Sequence, residues 1–336
     1  MQRAPMLRRI VTGLAVLGGI AAIATEAGAD ASRSNPDSAF QLALEDLVTR
    51  ARPGILGISV IDLDTGNQWG VNDKDAFPMM SVFKVPVVAA VLDMVDRNEL
   101  ALSDTVTIGR GDLRKGASEI AKSFAGTEMT FTVDQLMAAA VSRSDNTAVD
   151  ALIKRIGGPA VVDAFLKDKG IGGMRIDLDE GGIEHVFSGL GANAKPPPGE
   201  TGDASDARLW RGYQAFLADP RNRSTPQAAA AFLQKLWNGD LLSDASTQRL
   251  LDLMYAQTKP MRLRSGLPEG ARLADKCGTS VSMRGVTAAF NDIGIMTLAD
   301  GRSVIIAAFL TAGTGSREER TTLFADLARQ VASRRR

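Results

Sequence analysis

In "MMSVFKVPVV", residues 79–88, Ser81 stands three residues ahead of Lys84 inside an apolar run. On a helix the two side chains share one face, a turn apart. A charge among Val82, Phe83, Val85, Val87 and Val88 is costly to bury without a partner or a task. A buried lysine with a lowered pKa can take the proton of a neighbouring hydroxyl. The pair therefore reads as a serine nucleophile with its base, against the plainer reading of a lysine snorkelling from a helix start. Chance alone supplies about one S-x-x-K in a chain of this length, so other motifs must decide. The chain has one S-D-N, Ser144-Asp145-Asn146, and one K-x-G, Lys276-Cys277-Gly278, followed by Thr279. Alone, the first is an ordinary helix N-cap and the second a strand end.

These residues need elements to bring them together. "DSAFQLALEDLVTRA", residues 37–51, has helical apolar spacing and stops at Pro53-Gly54. "GILGISVIDLDTGNQWGV" reads as two strands joined at Asp64-Thr65-Gly66-Asn67. From Met79 to about Tyr255 nearly every segment has helical spacing, and S-D-N falls between two of these helices. Strand pattern returns in "ARLADKCGTS", "VTAAFNDIGIMTL" and "SVIIAAFLTA", with a hairpin turn at Ala299-Asp300-Gly301. A last helix runs from about Arg317 to Ala332. Two early and three late strands make one antiparallel five-stranded sheet, flanked by the first and last helices, with a large all-helical domain inserted: an α/β (α+β) fold. The expected division is a leader over 1–29, a discontinuous sheet domain over 30–78 and 256–336, and an all-α domain over 79–255. Their interface carries the site. Residues 186–206, rich in Gly, Pro, Ser and Asp, read as a long exposed loop.

Composition excludes several chemistries. Arg3, Arg8 and Arg9 precede an apolar run from Ile10 to Ala24, and Ala27-Gly28-Ala29 offers a cleavage site, the layout of a secretory signal peptide. The run is shorter than the ~20 residues a membrane span needs. Arg8-Arg9 leaves twin-arginine export open. The chain has 39 basic and 39 acidic side chains; removing Arg3, Arg8, Arg9 and Glu26 leaves 36 against 38. The only basic tract is the closing "SRRR", so nucleic acid is not an expected partner. Cys277 is the single cysteine and His185 the single histidine. An internal disulfide is excluded, and so is a His/Cys zinc site. A Ser-His-Asp triad is excluded unless His185 supplies it.

With S-x-x-K, S-D-N and K-x-G in that order, separated by 63 and 132 residues, the sequence resembles class A serine β-lactamases, for which S-x-x-K, S-D-N and K-T-G are signatures. The resemblance runs from about Ser38 to Leu327. "PMMSVFKVP", "VSRSDNTAVDALI" and "NDIGIMTLADGR" are especially similar to the extended-spectrum branch. It implies hydrolysis of the β-lactam amide through an acyl-enzyme on Ser81, with Lys84 relaying its proton. Ser144 would shuttle a proton to the departing lactam nitrogen, and Asn146 would hold an acylamido carbonyl. Lys276, Cys277, Gly278 and Thr279 would face the substrate carboxylate, and the backbone N–H groups of Ser81 and Thr279 would form the oxyanion hole. Arg262, 14 residues before Lys276, matches a carboxylate-binding arginine of one branch; Arg264 and Arg284 are rivals.

The family's water-activating glutamate usually sits in Glu-Pro-x-Leu-Asn after S-D-N. Here "RIDLDEGGIEH" sets Glu180 at that place, with Gly181, Ile183 and Glu184 where the family has proline, leucine and asparagine, and Leu178 where an arginine often ties down the loop. A second carboxylate nearby would raise the pKa of one of the pair. Between 105 and 130 the only aromatic residue is Phe124, although many relatives place a Trp or Tyr wall there. Cys277 replaces a hydroxyl residue, and its side chain is expected to point towards the substrate carboxylate.

The expectation is thus a periplasmic or secreted monomeric β-lactamase acting on a small-molecule β-lactam, with no metal, no cofactor and no membrane contact after leader cleavage. A D,D-peptidase of peptidoglycan that stays acylated and a non-catalytic penicillin-recognition domain are the alternatives.

Overall fold

The computed structural model describes residues 36–190, 195–258 and 261–334; the expected leader over 1–29 lies outside them. The strands are β1 (Ile55–Asp62), β2 (Gln68–Val71), β3 (Phe77–Pro78), β4 (Thr105–Gly109), β5 (Glu128–Thr132), β6 (Arg223–Ser224), β7 (Arg272–Thr279), β8 (Ser282–Met283), β9 (Val286–Thr287), β10 (Phe290–Thr297) and β11 (Ser303–Thr311). Five form the main sheet, in the order β2-β1-β11-β10-β7, every pair antiparallel. The expected α/β fold with its five-stranded antiparallel sheet is therefore observed.

The helices are α1 (Pro36–Arg50), α2 (Lys84–Asp96), α3 (Glu119–Ser123), α4 (Val133–Ser142), α5 (Asn146–Ile156), α6 (Pro159–Asp168), α7 (Glu180–Ser188), α8 (Gly202–Ala218), α9 (Pro226–Trp237), α10 (Asp244–Tyr255) and α11 (Arg317–Ser333). On one sheet face Leu56, Ile58, Val60, Val304, Ile306 and Leu310 pack with Phe40, Leu44 and Leu47 of α1 and Phe324 and Leu327 of α11. On the other, Ile305, Ala307 and Phe309 join the core of the helical segments. Burial on both faces is why these strands read as continuous apolar runs rather than alternating ones. Helix α2 is buried from Lys84 to Leu92, as a helix apolar on all sides must be.

Two segments differ from the expectation of near-continuous helix between Met79 and Tyr255. β4 and β5 pair as a ribbon, Val106 opposite Phe131 and Ile108 opposite Met129. The β-branched and aromatic residues of "TVTIG" and "EMTFT" favour strand, and the two stretches satisfy each other's backbone groups. The loop expected over 186–206 is also shorter. Residues 186–188 complete α7, which Gly189 ends at φ +64°, and α8 begins at Gly202 with Thr201 as its cap. The returning chain is pinned there by Arg208, whose Nε and Nη2 donate to Glu200 at 2.8 and 2.7 Å.

Candidate active site

Ser81 lies in a 3-10 turn, Met80–Phe83, that runs directly into α2 at Lys84. The turn is pressed onto the edge strand β7. A Cβ on Gly278 would stand 2.3 Å from the Met79 carbonyl oxygen, so only glycine lets the strand approach this closely. Asn291 of β10 holds the same segment, its Nδ2 donating to the carbonyls of Pro78 and Met79 at 2.7 and 3.1 Å. Met80 takes φ +46° and Ser144 φ +60°. A residue in the sparsely populated left-handed region thus stands beside Ser81 and at Ser144 itself, strain that only a firmly packed surround maintains.

Lys84 is fully buried and its ammonium is completely engaged. Nζ donates to the Ser144 carbonyl at 2.8 Å and to Asn146 Oδ1 at 2.6 Å, and lies 3.1 Å from Glu180 Oε1. A buried lysine therefore has both a partner and two neutral acceptors, which answers the desolvation cost of placing a charge there. Lys276, also fully buried, donates to Ser144 Oγ at 3.0 Å and to the Cys277 carbonyl at 3.0 Å. Burial, reinforced by the positive charge of Lys84, pushes the Lys276 ammonium down to about 8. Asp145, the centre of S-D-N, is structural: its carboxylate accepts from Ala148 N, Ile120 N and Ser118 Oγ, capping α5 and tying it to α3.

Glu180 is the first residue of α7, a helix where a loop was expected, capped by Asp179, which accepts from Gly182 N at 2.7 Å. Its place is fixed by a residue the sequence did not single out. Asp150 of α5 accepts the backbone N–H groups of Glu180 and Gly181 at 2.7 and 3.0 Å and is clamped by Arg114 Nε. Burial, with the Asp179 charge adding to it, raises Asp150 to about 6 against the opposing pull of those donors and Arg114. The available signal was an acid in the apolar stretch "TAVDALI"; Arg114 gave none, because its contact is 36 residues away in sequence. Glu184, one turn beyond Glu180, also lines the cleft and pairs there with Lys115 at 3.0 Å. The two carboxylates thus face separate cations.

Arg262 is fully buried. Its Nη2 donates to Thr279 Oγ1 and its Nη1 to the Gly278 carbonyl at 2.9 Å, with the guanidinium 3.7 Å from the Phe290 ring centroid. Arg264 instead pairs with Asp275, and Arg284 lies over Trp210. Of the three arginines, Arg262 is the one held to a residue of the cleft. Cys277, expected to point towards the substrate carboxylate, is 3 % exposed, stands opposite Asp292 in the ladder and is not among the residues that line the cleft. Thr279, partly exposed, carries the hydroxyl that reaches the cleft.

Ser81, Asn146, Glu180 and Thr279 line one cleft of about 460 Å³, together with Lys115, Gly116, Ala117, Ile183, Phe187 and Val281. A half-exposed serine, two buried ammonium groups, a buried carboxylate and a second serine converge from the start of α2, the turn before α5, the start of α7 and the edge strand. That set can form and then hydrolyse an ester on Ser81. Among the described residues no helix is long and apolar enough to cross a membrane.

Residues 39–334 match the model of the beta-lactamase enzyme family. The chain is 31 % identical to beta-lactamase L2 of Stenotrophomonas maltophilia over 323 residues, covering 95 % of this chain and 94 % of that protein. It is 30 % identical over 275 residues to the extended-spectrum beta-lactamase PER-1 of Pseudomonas aeruginosa, covering 81 % and 80 %. Among solved structures, an ancestral class A beta-lactamase superposes with a TM-score of 0.70 at 33 % identity, covering 87 % of this chain and 98 % of the other.

Proposed function

The chain belongs to the β-lactamase enzyme family, and on that premise we propose that it is a serine β-lactamase that opens the lactam amide on Ser81 and clears the ester with water activated by Glu180. The observation that carries this reading is the buried contact of 3.1 Å between Lys84 Nζ and Glu180 Oε1, one helical turn from Ser81. It supplies a proton path for acylation and a carboxylate for deacylation in one place.

Ser81 Oγ attacks the lactam carbonyl carbon and gives its proton to the Lys84–Glu180 pair. Negative charge grows on the carbonyl oxygen near the backbone N–H groups of Ser81 and Thr279, where fixed donors contribute ~3 kcal/mol each in comparable enzymes. The C–N bond breaks as Ser144 Oγ, oriented by Lys276, protonates the departing nitrogen and regains a proton from the Lys84–Glu180 pair, which returns to its starting state. Water then gives a proton to Glu180 and adds to the ester carbon; Ser81 Oγ leaves and is reprotonated from the Lys84–Glu180 pair, which regenerates the Glu180 carboxylate. Lys276 and the Thr279 hydroxyl, the latter backed by Arg262, receive the substrate carboxylate. Asn146 meets the acylamido group.

The sheet-bearing part (30–78 and 256–336) and the helical part (79–255) are inferred to form the two sides of this cleft. On the leader-like character of residues 1–29, the mature enzyme is inferred to act in the periplasm or outside the cell, as a monomer, without metal or cofactor.

The test is incubation with a chromogenic cephalosporin while intact mass is followed. Sustained turnover through a transient adduct that maps to the peptide of Ser81, and is lost in Ser81→Ala, is the expected result. A stable adduct without turnover identifies a D,D-peptidase or recognition domain instead, and an adduct on another serine overturns the assignment.

A further inference from the structure

Two walls of the cleft meet behind the site in one residue. Helix α7 contributes Ile183 and Phe187, and the chain leaving β7 contributes Val281, 71 % exposed. The segment whose single aromatic is Phe124 contributes Arg114, Lys115, Gly116 and Ala117 to the lining, and Met80 lies beside Ser81. Phe187 is the one aromatic residue of the lining, and Val281 is an exposed apolar one. Tyr213 of α8, 1 % exposed, stands behind both. Its ring is 5.7 Å from that of Phe187, which in turn stacks on Phe216 at 4.1 Å. Its hydroxyl lies 2.9 Å from the Val281 carbonyl and 2.7 Å from that of Val286, and accepts the Ala288 N–H at 2.6 Å.

That hydroxyl grips both ends of the β8–β9 hairpin. The hairpin pairs only Ser282 with Thr287 and Met283 with Val286. So short a ribbon has little stability of its own, and its position depends on what holds its base. Backbone hydrogen bonds between Thr287 and Gly313 and from Ser280 to Ala289 hold part of it; Tyr213 adds the side-chain grip and, through the same side chain, supports Phe187. We propose that Tyr213 is a positioning residue that sets the gap between Phe187 and Val281, and that this gap selects β-lactams by the apolar bulk of the acyl side chain. The inference rests on the proposed lactamase activity.

The experiment compares kcat/KM for benzylpenicillin, with its phenylacetyl group, and 6-aminopenicillanic acid, which has none. Tyr213→Phe keeps the ring and removes the hydroxyl. Its benzylpenicillin to 6-aminopenicillanic acid ratio is expected to fall about tenfold from wild type, chiefly through KM for benzylpenicillin. A merely structural role lowers both substrates equally, and that result, or an unchanged ratio, overturns the inference. Should Tyr213→Phe not fold, Val281→Ala decides: a fall of about threefold in the ratio supports the proposal, and no change overturns it. Wild-type protein that turns over neither penicillin overturns the lactamase reading and this inference with it; wild-type turnover with an unmoved ratio overturns this inference alone.

Discussion

Lys84 and Glu180, 96 residues apart in sequence, meet at 3.1 Å with side chains 0 % and 8 % exposed. Neither would be stable there alone, since an unpaired charge at such burial is strongly unfavourable. Substituting one partner therefore acts on the other. In Glu180→Gln the carboxylate that accepts the water's proton is gone while Ser81, Ser144 and Lys276 remain. We expect a burst of acylation followed by a stall, with deacylation slowed ~10²–10⁴-fold, read by stopped-flow and intact mass. Glu184→Gln, on a carboxylate turned to Lys115, is expected to stay within about twofold of wild type, since exposed ion pairs contribute little. A stall in Glu184→Gln instead would assign the base to the wrong carboxylate.

Lys276 gives the alkaline limb. With its ammonium lowered to about 8 by burial, it is charged below that pH and neutral above. As pH rises through about 8, the group facing the substrate carboxylate loses its charge, so kcat/KM, which reports the free enzyme, falls. A charge-assisted hydrogen bond contributes ~1.5–3 kcal/mol, or about 10–100-fold. Lys276→Arg, permanently charged, should abolish the limb even if it lowers the plateau. A limb near 8 persisting in Lys276→Arg would locate it elsewhere.

The acid limb is assigned to Asp150. Its ionised carboxylate accepts the Glu180 and Gly181 N–H groups, and protonation below about 6 weakens that grip on the start of α7. Deacylation should fall about tenfold between pH 7 and 5, following the ionised fraction. Asp179→Asn still caps the helix but removes a repelling charge, which lowers the Asp150 pKa and moves the limb to lower pH. An upward or absent shift, measured on single-turnover deacylation, would discard the assignment.

Gly278→Ala tests how closely β7 must lie to the Ser81 turn. The added methyl would meet Met79 O at 2.3 Å, and overpacking of this kind costs ~1–3 kcal/mol. A lowered Tm is expected together with a fall in kcat of about tenfold or more as the strand moves off. Unchanged kcat would show that the turn does not need the strand at this distance.

Local chemistry was the legible part of the site. Ser81 with Lys84, and Ser144 with Asn146, are close in sequence, so their spacing already carries their geometry. Glu180 was readable only as a position, because Gly181 and Ile183 break the usual pattern and the helix that begins there depends on Asp179 and Asp150. Arg114 on Asp150 and Tyr213 on the hairpin were illegible: each contact joins residues far apart, and nothing in either local segment marks it. The sheet was legible because its strands bury both faces, whereas β4 and β5 were hidden among helical patterns. Each is stabilised mainly by the other, a pairing no single window contains.

The register of β1 against β11, from Ile55 opposite Thr311 to Asp62 opposite Val304, sets the order in which the chain can fold. β1 lies inside the sheet between β2 and β11, yet its β11 neighbour is made long after it. Until then the apolar face of "ILGISVID" has only β2 to pair with, and a two-stranded hairpin is marginal in water. Closing so long a loop is slow, and the waiting strand is open to aggregation. Native pairing of β1 thus waits until β11 has been made, and in that interval folding and self-association compete.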